Sequence, residues 1–150
     1  MVRGLVLASF LWPLILGAAV WQRASGEHPA WTTVLYLASG RICHQRPERS
    51  FSTAGAQWPV CGRCSGLYLA GPFGALAGLL LARRRSGKAA HSLALLAVPT
   101  VVTIGLEWTG LAPITNELRA LAALPLGGAI GYWIVRAASG APRSISYTGQ

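Results

Sequence analysis

Apolar residues in this chain come in long uninterrupted runs, with little of the alternation that marks half-buried strands or one-sided helices. Leu5 to Trp21 contains no charge, and Gly66 to Ala82 matches it in length between Arg63 and the cluster Arg83-Arg84-Arg85. Ser92 to Leu106 is uncharged and slightly short, and Glu107-Trp108 extends it to 108 as an interfacial end. Ala120 to Ala138 carries one charge, Arg136, near its end. At 1.5 Å per residue, about 17–20 residues cross a hydrocarbon core of about 30 Å. The runs therefore predict four membrane helices, over about 5–21, 66–82, 92–108 and 120–138. Buried helices of a soluble bundle would need polar faces that these runs lack.

A fifth apolar stretch, Trp31 to Ile42, is too short to cross. It reads as an interfacial or re-entrant helix that delivers the residues after it to the membrane surface. The expected fold is thus all-α: a four-helix transmembrane bundle with one short extra helix. Residues 1–140 would form a single membrane domain and 141–150 a flexible tail. Ser50 to Pro59 reads as a polar turn region. The first run, which contains Trp12-Pro13 and lacks a clear small-x-small cleavage site after it, reads as a retained anchor rather than a signal peptide.

Composition strengthens the membrane reading. Of 150 residues, 53% are hydrophobic and only 11% charged, and mean hydropathy is +0.46, where soluble domains carry about a quarter charged residues. The net charge of +9 is dispersed around apolar runs with no nucleic-acid-binding module to organise it, so a nucleic-acid partner is not expected. Its distribution predicts orientation instead. Arg83, Arg84, Arg85 and Lys88 form a loop without acids, which the positive-inside rule places in the cytoplasm. Both termini then lie inside, in agreement with Arg3, Arg136 and Arg143, and residues 22–64 lie outside. A multi-pass protein of the bacterial inner membrane is the expected setting.

That outer segment holds the chemistry. All three cysteines and one of three histidines fall close together in it: Cys43, His44, Cys61 and Cys64. Thiolates and imidazole bind soft metals or exchange electrons. Cys61 and Cys64, three apart before the second run, would share one face of a first helical turn, with Tyr68 one turn below. Such a position lowers a thiol pKa, and Arg63 adds positive charge.

The favoured reading is a metal site of Cys43, His44, Cys61 and Cys64 for zinc, copper or iron. Cys43 and His44 are adjacent and point apart, so one of them would support rather than ligate. Two alternatives stand beside it. One is a membrane thiol–disulfide oxidoreductase using Cys61 and Cys64, with Cys43 as partner thiol. The other is a structural or assembly subunit of a membrane complex, in which a disulfide staple locks a loop. No nucleotide-binding loop, hydrolase triad or carboxylate pair is present, and whether the chain is an enzyme is left open.

The strings Cys43-His44-Gln45-Arg46-Pro47-Glu48-Arg49-Ser50-Phe51 and Cys61-Gly62-Arg63-Cys64-Ser65-Gly66-Leu67-Tyr68 carry a resemblance. The chain resembles an uncharacterised family of small bacterial membrane proteins with C-H-Q-x-P-x-R-S-F and C-x-R-C-x-G-x-Y elements, followed by three more spans. The resemblance covers most of residues 40–131 and implies this fold and this site, without an established activity. An acid, an Asn and an Arg of the family pattern fall at Glu107, Asn116 and Arg119, with Glu here in place of Asp.

Remaining polar residues fit around the site. Glu107 and Arg119 would pair with each other or with Arg63 or Arg49, giving a supporting polar shell of Arg49, Arg63, Glu107 and Arg119 over the cysteines. Arg46, Glu48 and Arg49 read as fixing loop shape, with an anionic substrate or headgroup as the alternative. Small residues at Gly66, Ala70, Gly74 and Gly78, and at Gly127 and Gly131, form close-approach helix faces. They serve packing within the chain or, alternatively, a homo-oligomer or larger membrane complex. Pro72 and Pro99 are expected to kink their helices.

Overall fold

The computed structural model describes residues 2–81 and 89–139. The basic segment Arg83 to Lys88 and the tail from Ala141 lie outside the described residues.

Among the described residues are five α-helices and one small hairpin, α1 (Val2–Ala24), α2 (Ala30–Ser39), β1 (Ser50–Thr53), β2 (Ala56–Cys61), α3 (Gly62–Leu80), α4 (Ala89–Thr109) and α5 (Asn116–Ala138), with a 3-10 turn at Pro47–Arg49. The protein is mostly helical, but it has more elements than a plain four-helix bundle. Among the described residues three helices, α1, α4 and α5, are long and apolar enough to cross a membrane. The run 66–82 does form a helix, α3, yet α3 is not among these three. Its five glycines, Pro72 and Arg63 dilute its hydropathy. The short stretch read at 31–42 is α2.

The hairpin corrects the turn expected over Ser50–Pro59. Strands β1 and β2 pair antiparallel, with Thr53 opposite Ala56, so Ala54 and Gly55 form a two-residue connection. Both have positive φ, 47° and 80°, as a type I′ turn requires. Ala at the first of these positions carries little hairpin signal compared with Asn or Asp, so the sequence hides the turn. The ladder changes register between Ser50 and Ser52, opposite the stretch where Pro59 lacks a donor.

Helix packing is dominated by α3 against α5. A Cβ added at Gly74 would stand 1.8 Å from the Gly128 carbonyl oxygen, one at Gly66 2.1 Å from that of Ala120, and one at Gly131 2.0 Å from that of Gly71. The two backbones therefore touch, as small-residue faces permit in lipid. Along α3, Gly62, Gly66, Gly74 and Gly78 meet Asn116, Ala120, Gly128 and Tyr132, always at the same separation in sequence, so the two helices run parallel in fixed register. The small-residue faces noted in the sequence thus meet each other within one chain.

Helix α1 lies antiparallel to α3, with Phe10 edge-on to Phe73 and Trp12 edge-on to Tyr68. Helix α4 leans on α5 through side chains. The Thr100 hydroxyl donates to the Ala122 carbonyl at 2.8 Å, and the Trp133 indole N–H donates to Ser92 Oγ at 2.8 Å. Only Thr103 of α4 is buried. Leu95, Val98, Val101 and Val102 face outward, as lipid contact favours. Each of α1, α3, α4 and α5 accommodates an internal proline without ending.

Candidate metal centre

The site forms where the α2 loop, the end of β2 and the start of α3 meet. Helix α2 stops at Gly40, and the chain turns back on it, with the Cys43 amide donating to the Ser39 carbonyl at 2.9 Å. Gln45 then clasps three segments. Its side-chain amide donates to the carbonyls of Tyr36 and Pro59, both at 2.8 Å, while the Gln57 side chain donates to the Gln45 carbonyl at 2.7 Å. The Tyr36 hydroxyl donates to the Gln57 carbonyl at 2.6 Å, and the Arg23 guanidinium stacks over the Tyr36 ring. Gln45 adopts a positive φ of 46°, a strained choice for a residue with a side chain. This clasp presses the Cys43 loop against β2.

Cys43 is buried and packs with Leu16 and Val60, flanked by Trp12, Leu35 and Tyr68. Cys61 is the N-cap of α3 and Cys64 lies in its first turn. The three sulfurs all lie within 4.8 Å of one another, and all three cysteines are free. The Cys61 amide donates to Cys43 Sγ at 3.1 Å. His44 is not in this group. It is exposed and lines the adjoining cavity with Cys61 and Cys64.

Charge is unevenly shared among the sulfurs. The Cys61 thiol is lowered to about 5, mainly because the Cys64 thiol donates to it, with help from Cys43 and the Cys64 and Arg63 amides and against the cost of burial. Its side chain makes no fully formed capping bond, yet these helix-start amides favour its thiolate. Cys64 is pushed the other way, since its proton is held by Cys61 and burial disfavours a second thiolate.

Above the sulfurs opens a cavity of about 500 Å³. Arginines 46, 49, 63 and 119 line it, together with His44, Glu107 and the apolar Ile104 and Trp108. Glu107 joins three helices. One oxygen contacts Arg63 at 2.5 Å, and the other accepts from Arg119 through Nε at 2.7 Å and also through Nη2. Arg119 donates to Asn116 Oδ1 at 2.6 Å and to the Glu48 carbonyl at 3.3 Å, while Asn116 donates to the Ser50 carbonyl at 3.0 Å. Arg63, Glu107 and Arg119 thus form one network that ties α3, α4 and α5 to the motif loop. Arg49 shares the cavity but stands outside the network. Sequence reasoning missed the Gln45 clasp, although its place in the C-H-Q string was a signal.

Apolar helices of spanning length and a cysteine cluster at one end define an integral membrane protein. The chain belongs to the family of predicted membrane proteins DUF2085, whose model matches residues 43–133. That match takes in all three cysteines, Glu107, Asn116 and Arg119. A protein of Methanothermobacter thermautotrophicus, titled uncharacterized, is 35% identical over 86 residues, covering 57% of this chain and 78% of that protein. A second, from Methanocaldococcus jannaschii and also titled uncharacterized, is 29% identical over 103 residues, covering 67% of this chain and 66% of that protein. Both relatives are archaeal. No solved structure matches the chain.

Proposed function

We propose that the protein holds a transition-metal ion, zinc, copper or iron, on Cys43, Cys61 and Cys64 at the outer surface of the plasma membrane. The observation that carries this reading is the gathering of three sulfurs within 4.8 Å. Thiolates around a tetrahedral zinc, each at about 2.3 Å, stand about 3.8 Å apart, so a small contraction completes the set. The low Cys61 pKa supplies the first thiolate, and metal charge supplies the others. His44, which lines the adjoining cavity, would be the candidate fourth donor. Arg49, Arg63, Glu107 and Arg119 form the polar wall around it.

In this proposal residues 1–140 form one membrane domain with α3 as a fourth span, shielded by α1 and α5. Both termini face the cytoplasm, and Arg3 and Arg136 support that orientation. The test is metal analysis of the full chain purified in detergent without chelator. About one zinc, copper or iron per chain is expected, with loss in Cys61→Ser. Metal-free wild type, or metal retained in that variant, overturns the reading.

A second reading, thiol–disulfide exchange at Cys61 and Cys64, draws support from their opposed pKa shifts. It predicts that alkylation of Cys61 and Cys64 changes with prior reduction or oxidation. Thiols whose labelling is indifferent to that treatment argue for the metal.

A further inference from the structure

The cavity above the sulfurs carries more positive charge than the described residues lining it neutralise. Four arginines line it against one carboxylate, Glu107, a surplus of three. Arg63 and Arg119 share that carboxylate. The side chains of Arg46 and Arg49 make no hydrogen bond or ion pair among the described residues. Polar contacts therefore do not employ them to fix loop shape. Glu48, between them in the chain, pairs with neither and contributes only its carbonyl, to Arg119. One thiolate among the cysteines, or a divalent cation on three thiolates, adds a single negative charge and still leaves a surplus of two.

Unbalanced charge beside a hydrocarbon phase is unfavourable, which favours a counter-anion. The apolar wall of Ile104 and Trp108 strengthens attraction by lowering the local dielectric. Guanidinium groups match tetrahedral oxyanions through paired N–H donors, and Glu107 already accepts from Arg63 and Arg119, which leaves Arg46 and Arg49 for another anion. We infer that this cavity binds a phosphate group, seated against Arg46 and Arg49. Its volume of about 500 Å³ falls within the roughly 300–1,000 Å³ of organic-ligand sites, which leaves room for an organic remainder beside Ile104 and Trp108. Two sources present this chemistry: an anionic phospholipid headgroup, which the 84% exposed Trp108 would meet at an interface, and a soluble phosphate ester. The inference stands on the charge of the cavity and requires no bound metal.

The experiment uses the full chain in detergent. Native mass spectrometry reads binding of dioleoyl phosphatidic acid against the diacylglycerol with the same tails, and equilibrium dialysis reads inorganic phosphate. Wild type should retain phosphatidic acid over diacylglycerol if the source is a headgroup, and inorganic phosphate should bind and compete if it is soluble. Arg46→Gln with Arg49→Gln should weaken binding by about ten-fold or more, as expected for lost charge-assisted bonds. Arg41→Gln, outside the cavity, should not. Should the double variant fail to fold, Arg49→Gln alone must show the loss. Absence of both ligands from wild type at millimolar concentration, or variants that bind like wild type, overturns the inference. Metal content measured on the same samples keeps the two proposals apart: a metal-free chain that binds phosphate through Arg46 and Arg49 sinks only the metal.

Discussion

Helices α3 and α5 meet backbone to backbone along a seam of glycines, while α4 is tied to α5 by hydrogen-bonding and charged side chains. The first contact is steric and fixes register at every turn. The second consists of separate attachments, each worth about 0.5–2 kcal/mol in a membrane except where buried charge is involved. The contrast shows which part of the molecule holds the site and which part closes it. Cys61 caps α3, Cys64 lies in its first turn and Arg119 lies near the start of α5, so the two helices that the seam locks together carry these residues. Ile104, Glu107 and Trp108 come from α4, whose hold is chemical and local.

Damage to the seam should have the largest effect. Gly74→Leu places a side chain where a single Cβ already lies 1.8 Å from a carbonyl oxygen. Loss of the folded monomer is expected on size-exclusion chromatography in detergent. Gly105→Leu on α4, where an added Cβ meets nothing within 4 Å, should elute as wild type does. Equal damage from the two would erase the distinction. An intermediate effect belongs to Glu107→Gln, which strands Arg63 and Arg119 with side chains only 16% and 11% exposed. Removing one partner of a buried ion network costs about 3–5 kcal/mol. Thermal unfolding should show a large drop, and α4 should become more open to protease at its Glu107 end. An unchanged melting temperature would mean that α4 does not depend on this network. The smallest effect is expected from Thr100→Val, which removes one hydrogen bond to the Ala122 carbonyl for about 0.6 kcal/mol. A loss as large as that of Glu107→Gln would refute the picture of unequal attachments.

The long helices were legible because lipid-facing runs need no periodicity to be recognised. Runs 5–21, 92–108 and 120–138 lie inside α1, α4 and α5. Helix α3 was legible as a helix, while its dependence on α5 was half hidden: fourfold glycine spacing declares a close approach but not the partner. The hairpin was invisible for a local reason, since Ala54 takes a turn position that Asn or Asp would have advertised. At the site, clustering of the cysteines in the sequence announced a common centre, and the gathering of the sulfurs depends on Gln45, whose three-way clasp no spacing rule describes. The pairing of Glu107 was legible in kind, as an acid near basic residues at helix ends. That it joins both Arg63 and Arg119 follows from the parallel register of α3 and α5, which brings both helix starts to the end of α4.

The constant sequence offset between the glycines of α3 and the face they meet on α5 has a consequence for biogenesis. At about 5–20 residues per second, a ribosome delivers that partner roughly 3–11 s after α3 has been made. Throughout this delay the bare glycine strip lacks its cover, and α3 is too dilute in apolar side chains to settle in hydrocarbon as firmly as its neighbours. Completion of the cavity above the sulfurs therefore waits on the arrival of the last helix, and a chain stalled before residue 116 would leave Glu107 without one of its two arginines.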